Sequence, residues 1–261
     1  MVDGVSGMNF INSWAETARG LTPSIIPFHG CTRLKIGVPA MPKYPYDDFV
    51  EITDLSDMEL LYQKEKNISK MLTFDANELA VIKKMAMADE RLQTCSMFSA
   101  LATLVWEAEA RPSTWSPRGS PSFRFSSISE PLPKNYFCNL VTTTCCLTTA
   151  GELAELPISY TVKHIRKACG LVDGDYVWSR MDYIDLYRPS LTSTGIPVIS
   201  SWTCLAYGCS NFEWGDPTQF GCRDLSRAFC LLQPEGGKGI AVTLALPESG
   251  MNTFQKLINE V

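Results

Sequence analysis

The sequence predicts an α/β fold in which a mixed sheet is flanked by helices. Three observations carry that expectation. Apolar stripes with a period near 3.6 recur along the chain and mark helices. Short β-branched runs bounded by Gly and Pro mark strands. The two kinds of segment mix without a strict βαβ repeat, which favours a mixed sheet over a doubly wound parallel one. With 261 residues and 45% hydrophobic composition, the chain can fill one large or two modest cores.

The elements follow in order. The opening MVDGVSGMNF places an Asp-Gly turn directly before an amphipathic helix on which Phe10, Ile11, Trp14, Ala15 and Ala18 line one face, the other being polar, and Gly20 stands where the helix stops. From Thr22 to Asp48 the prolines 23, 27, 39, 42 and 45 forbid a long helix, so this stretch is an extended surface connection. Asp75 with Glu78 three residues on is a capping box opening a helix through Leu79, Ile82 and Met85. A further helix starts near Thr94 and sets Phe98, Leu101, Ala102 and Val105 on one stripe.

Residues 111–129 are dominated by Ser, Pro and Arg and keep no period, which predicts a crossover between two halves. The domain division expected is therefore 1–110, a linker over 111–135, and 136–261. Within the second half, Tyr136 to Thr149 reads as a strand, and Pro157 opens a helix with Ile158, Val162, Ile165 and Cys169 inward. VISSWTCLA is a strand candidate. AFCLLQPEGGKGIAVTLAL predicts an antiparallel hairpin across Pro234 to Gly239. A last amphipathic helix carries Phe254, Leu257, Ile258 and Val261.

Charge and composition remove several function classes. Against 28 Asp and Glu stand 23 Lys and Arg, with no like-charge run able to track phosphates, so nucleic acid is not an expected partner. No window approaches 18 apolar residues and the first twenty lack a basic start followed by an apolar core, so a cytoplasmic chain with no membrane span is expected. The ten cysteines form no C-x-x-C pair and only two histidines accompany them, so no metal site is expected and the thiols read as reduced and mostly buried. Phosphate-loop, dinucleotide, zinc-peptidase and nucleophile-elbow motifs are absent. His29 in the proline-rich connection and His164 between inward Val162 and Ile165 read as exposed or hydrogen-bonded imidazoles without a catalytic role.

Several segments, in order, carry a resemblance. Asp3-Gly4 with FINSWAETARG, TFDANELAVIKKMA with TCSMFSALATLVW, PLPKNYFCN, RPSL with ISSWT, and NFEWGDP resemble the BAHD family of plant acyl-CoA-dependent acyltransferases over nearly the whole chain. The wording is nearest to members that move hydroxycinnamoyl groups onto long-chain alcohols or ω-hydroxy acids. The resemblance implies a two-domain fold like chloramphenicol acetyltransferase. It implies acyl-CoA as co-substrate with no resident cofactor, and a small-molecule or long-chain hydroxyl acceptor. It also implies a monomer, with association through exposed strand edges as an alternative.

The resemblance also assigns residues. Asp3 and Gly4 match the end of a His-x-x-x-Asp-Gly motif, with Asp3 as its structural aspartate. Phe212, Trp214 and Gly215 match an Asp-Phe-Gly-Trp-Gly loop, while Asn211 and Glu213 depart from it. Trp202 and Thr203 fall where the strand approaches the site and line the expected pocket. Arg124 is the near candidate to pair with Asp3. Cys138 stands where the family has glycine, and a glutamate at a glycine position of positive φ predicts a reshaped loop. Counting back four positions from Asp3 passes Met1, so the motif's histidine is absent from this sequence. With these departures, that predicts an N-terminally truncated acyltransferase, incomplete in its first domain and impaired or inactive. The alternative is a non-catalytic chain that binds acyl-CoA or a partner.

Overall fold

A computed structural model describes residues 2–30, 35–49, 63–88, 92, 94–110, 122–128, 135–139, 141–189, 198–205, 210–215, 217, 229–235 and 239–259. Helices α1 (Gly4–Ala18), α2 (Ala76–Ala86) and α3 (Met97–Ala110) come from the first part of the chain, with strand β1 (Asn67–Phe74) between α1 and α2. Strands β2 (Ser122–Ile128) and β3 (Val141–Leu147) follow, then α4 (Ala150–Glu155), α5 (Ile158–Gly170) and α6 (Gly174–Tyr187). The chain closes with β4 (Val198–Ser201), β5 (Phe229–Glu235), β6 (Gly239–Pro247) and α7 (Glu248–Asn259).

Among the described residues six strands form one sheet in the order β1-β6-β5-β4-β2-β3. β4 runs parallel to both β2 and β5, and the other pairs are antiparallel, so the sheet is mixed as expected. The predicted hairpin is β5–β6, with Glu235 opposite Gly239. Helix α3 is the central element of the core: Leu101, Leu104, Val105 and Trp106 are fully buried. It packs with Ile82 of α2, Val162 and Ile165 of α5, and Met251 and Phe254 of α7 in one apolar cluster. A Cβ on Gly250 of α7 would stand 3.4 Å from the Ala108 carbonyl, so α3 and α7 are in contact at this glycine. This core draws on residues on both sides of segment 111–135.

The capping box of α2 is present, with Asp75 accepting from the Asn77 and Glu78 amides and Glu78 returning to the Asp75 N–H. Ser96, whose hydroxyl accepts from the Ser99 N–H, starts α3. α5 buries Val162 and Ile165 as the pattern predicts, with Ile158 and Cys169 half-buried against the core, and α7 buries Phe254 and Leu257 with Ile258 packed alongside. Val261 lies outside the described residues.

Three features go beyond the sequence reading. Within the expected crossover, Ser122–Ile128 form β2, bonded between β3 and β4. Composition averaged over 111–129 diluted a short strand whose pairing comes from distant neighbours. β1 was not read either: its alternation is interrupted by Lys70 and Met71, polar or exposed as befits an edge strand. The third concerns α1. Ala15 is buried, but Phe10 and Trp14 are 57% and 59% exposed and Ala18 is exposed, while Ser6 and Met8 are the buried partners of Ala15. An apolar stripe records that a helix has a non-polar side, not what lies against it.

The connection from residue 35 to 49 is fastened to α6. Asp182 accepts from the Gly37 and Met41 amides at 2.8 and 2.9 Å. Ser179 Oγ accepts from the Lys43 N–H and the Tyr46 hydroxyl, both at 2.6 Å. The Arg180 guanidinium lies 4.4 Å from the Phe49 ring centroid.

Candidate functional site

The residues assigned by resemblance collect along α1. Asp3, 7% exposed, is its N-cap: extended backbone (φ −80°, ψ 179°) turns into the helix, and Oδ1 accepts the Ser6 N–H at 2.8 Å. The Asp3 N–H donates to the Cys138 carbonyl at 3.2 Å. The Ser6 hydroxyl donates to the same carbonyl at 2.8 Å and accepts from the Cys138 N–H at 3.2 Å. On the other side of that segment, Phe28 donates to the Asn135 carbonyl and accepts from the Phe137 N–H. Residues 135–138 are thus held between the foot of α1 and the extended connection. Asn135 takes a left-handed backbone (φ 63°), which asparagine tolerates better than most residues.

Gly4 explains itself by contact. A Cβ there would lie 3.1 Å from Leu205 Cδ1 and 3.5 Å from Trp202 Nε1. The turn after β4 sets this arrangement: the Trp202 N–H donates to the Leu232 carbonyl at 2.7 Å and the Leu205 N–H donates back to Trp202 at 3.0 Å. Trp202 therefore stands beside the foot of α1. Thr203 pairs its hydroxyl with that of Ser201 at 2.9 Å.

The loop at 210–215 meets α1 further along, about 16 Å from Asp3 at 1.5 Å of rise per residue. The Ser210 hydroxyl donates to Asn12 Oδ1 at 2.7 Å, and Phe212 meets Trp14 edge-on at 5.4 Å between centroids. Trp214 stacks on Phe212 at 6.5 Å yet is 93% exposed, and Gly215 has φ 101°. Glu213 adopts the left-handed backbone itself (φ 76°), with its N–H donating to Asn211 Oδ1 at 2.8 Å. Phe10, Ser13, Trp14 and Thr17 line a shallow apolar groove of about 340 Å³ on the outer side of α1.

Asp3, Gly4 and Trp202 are thus together at one end of α1, with Phe212, Trp214 and Gly215 toward its other end. Arg124 occupies β2 opposite Cys145 and Val198, and its pairing with Asp3 lies outside the described residues. His29 is exposed with its ring 5.4 Å from that of Phe137. The His164 ring lies tilted at 45° against that of Tyr160, centroids 4.4 Å apart, and burial holds its imidazole below the usual pKa. The bonds of Asp3 named above run to Ser6 and Cys138, and to neither imidazole. Among the described residues no group of three or more His, Cys, Asp or Glu converges in a way that could hold a metal ion. Burial raises the thiols of Cys146 and Cys230, and that of Cys169 to about 11, which leaves them poor nucleophiles near neutrality.

Ser6, Asn12 and Ser210 were missed by sequence reasoning. Each is a common small polar residue whose partner is remote in sequence. Only the Ser at the third helical position after an Asp N-cap carried a local signal.

A family model described as the Transferase family matches residues 1–261. The chain is 35% identical over 269 aligned residues to a fatty alcohol:caffeoyl-CoA acyltransferase of Arabidopsis thaliana, covering 99% of this chain and 62% of that protein. It is 32% identical over 269 aligned residues to an omega-hydroxypalmitate O-feruloyl transferase of Arabidopsis thaliana, covering 98% and 58% respectively. The chain thus spans about three-fifths of the length of these relatives. Among solved structures, F. graminearum TRI101 complexed with coenzyme A and T-2 mycotoxin superposes with a TM-score of 0.71 at 17% identity, covering 98% of this chain and 62% of that one.

Proposed function

From the premise that the chain belongs to the Transferase family, the BAHD acyltransferases of chloramphenicol-acetyltransferase-like fold, we propose that it serves acyl-CoA-dependent transfer of a hydroxycinnamoyl-type group to a hydroxyl of a long-chain alcohol or ω-hydroxy acid. The observation that carries this reading is the pair of relatives above 30% identity, matched over nearly the whole chain, whose names pair caffeoyl or feruloyl groups with long-chain hydroxyl compounds. The geometry of α1 supports it. The Asp3 carboxylate accepts the Ser6 N–H, which supports the structural part the resemblance gives it.

In this reading an imidazole four positions before Asp3 takes the proton of the acceptor hydroxyl while the oxygen attacks the thioester carbonyl. The tetrahedral intermediate then expels CoA, whose sulfur leaves as thiolate and is protonated. Asp3, Ser6 and Cys138 place the turn, and Trp202 lies beside it. A polypeptide of these 261 residues alone is expected to turn over about 10²–10⁴-fold more slowly than one carrying His-x-x-x directly before Asp3, the usual contribution of a positioned base.

Both polypeptides are incubated with feruloyl-CoA or caffeoyl-CoA and 1-hexadecanol or 16-hydroxypalmitate, and free CoA thiol and ester are followed. Ester from the extended polypeptide supports the reading. Its absence with every donor and acceptor, from a folded protein, sinks it. The outward Phe10–Trp14 face favours a second reading, a chain that binds acyl-CoA or a partner without catalysis. Saturable acyl-CoA binding with no thiol release from either polypeptide selects that one.

A further inference from the structure

We infer that Ser6 is a positioning residue for the proposed transfer, its hydroxyl fixing the Asp3 turn against the Cys138 peptide; the inference rests on the acyltransferase reading above. Ser6 is 1% exposed and lies at the third position of α1. It is bonded at three points: its N–H donates to Asp3 Oδ1, its O–H donates to the Cys138 carbonyl, and its oxygen accepts from the Cys138 N–H. The Cys138 carbonyl has two lone pairs, and the Asp3 N–H and the Ser6 O–H reach it at 3.2 and 2.8 Å.

The result is a closed ring joining Asp3, Ser6 and Cys138, the last two 132 residues apart in sequence. Asp3 caps the helix and reaches Cys138 through a backbone bond. Ser6 adds two side-chain bonds from the foot of α1 to the Cys138 peptide, within residues 135–138. Those residues are anchored on their far side by Phe28, so the ring fastens the turn to a supported segment rather than a loose loop. Any group carried on the chain just before Asp3 takes its placement from this turn, and Gly4, next in the chain, stands against Trp202. Small misplacements of a reacting group cost rate out of proportion to stability.

A hydroxyl in the right place is therefore required, and a methyl group does not replace it. Alanine removes both the donor to the Cys138 carbonyl and the acceptor for its N–H while leaving the Asp3 cap intact. Threonine keeps both functions.

The test compares wild type, Ser6→Ala and Ser6→Thr in the chain carrying His-x-x-x before Asp3, with feruloyl-CoA and 1-hexadecanol. The expected result for Ser6→Ala is a fall in kcat of about 10- to 100-fold, with KM for feruloyl-CoA within about twofold, Tm shifted by only a few degrees, and most of the rate recovered by Ser6→Thr. An unchanged kcat overturns the proposal, as does a loss that appears only in KM or follows unfolding without rescue by threonine. Amide hydrogen exchange of the 261-residue chain gives a second reading independent of turnover. Faster exchange at Ser6 and Cys138 in Ser6→Ala, with β5 and β6 unaltered, supports the ring, and unchanged exchange overturns it. If wild type releases no CoA, the acyltransferase reading has failed, while the exchange data still decide the clamp.

Discussion

Phe212 stands edge-on against Trp14, ring centroids 5.4 Å apart and planes at 87°. This contact, with the Ser210–Asn12 hydrogen bond, docks the 210–215 loop on α1. An edge-to-face pair of this geometry contributes about 0.5–1.5 kcal/mol beyond area burial. Since Trp14 is largely exposed, the lower half of that range applies. A double-mutant cycle with Trp14→Ala and Phe212→Ala, read by urea unfolding, should return a coupling of about 0.5 kcal/mol. A coupling of zero would mean that the Phe212–Trp14 contact does not fasten the loop.

Glu213 offers a gain of stability by removal. Holding an L-residue in the left-handed region costs about 1–2 kcal/mol, and Glu213 sits there with φ 76°. Glycine relieves that strain but loses more backbone entropy on folding, by about 0.5–1 kcal/mol. Glu213→Gly should therefore raise stability by about 0.5–1 kcal/mol, visible as a higher urea midpoint with unchanged m-value. Glu213→Val should do the reverse, since a β-branched side chain suits positive φ least. A glycine variant no more stable than wild type would show that the Asn211–Glu213 bond already offsets the strain.

The parts of this fold that could be read from sequence are those whose signals are local. The Asp75–Glu78 capping box, the stripe from Leu101 to Val105, Pro157 before α5 and the turn residues of the β5–β6 hairpin all act within a few residues of themselves. Helix α6 was not read because its inward face carries Ser179, Arg180 and Asp182, polar residues buried to hold residues 37–46 rather than to join an apolar core. The site divides in the same way. Asp3 and Gly4 stand in a recognisable turn, whereas the value of Ser6 depends on Cys138 and that of Phe212 on Trp14, pairs that only the fold brings together. The outward set of Phe10 and Trp14 shows the limit most directly, since periodicity gave the stripe and not its direction.

The strap on α6 should respond to acid. Bonds from the Met41 and Gly37 amides hold the Asp182 carboxyl below its usual pKa. A depressed carboxylate contributes stability above the unfolded value, about 3.9, and loses it as pH falls through the lower folded value. Protection of the Gly37 and Met41 amides, taken relative to the intrinsic exchange rate at each pH, should thus be high at pH 6 and fall below about pH 4, ahead of β6. Asp182→Asn should show low protection at both pH values and lose the acid dependence. Gly37→Ala should mimic it at pH 6, because the added Cβ would meet Asp182 Oδ2 at 2.9 Å. Equal protection in wild type and Asp182→Asn at pH 6 would remove Asp182 as the fastening point.

Gly4 brings two effects into opposition. It occupies the first helical position of α1, where alanine in place of glycine can gain up to about 1 kcal/mol of helix propensity. The same Cβ would lie 3.1 Å from Leu205 Cδ1, a contact the neighbour must relieve. Leu205 meets it with the far end of a flexible side chain, so a shift of a few tenths of an ångström suffices and Gly4→Ala should be close to neutral in stability. A branched side chain has no such exit. Valine at position 4 would press on the Trp202 indole, whose Nε1 and Cε2 stand 3.5 and 3.7 Å from the Cβ position, and overpacking of this kind costs about 1–3 kcal/mol. Gly4→Val should therefore unfold at lower urea and alter the near-ultraviolet circular dichroism of the tryptophans, while Trp202→Phe in the same background should recover part of the loss. Should Gly4→Val prove as stable as wild type with an unchanged spectrum, the close approach of α1 to the turn after β4 is not what requires glycine there.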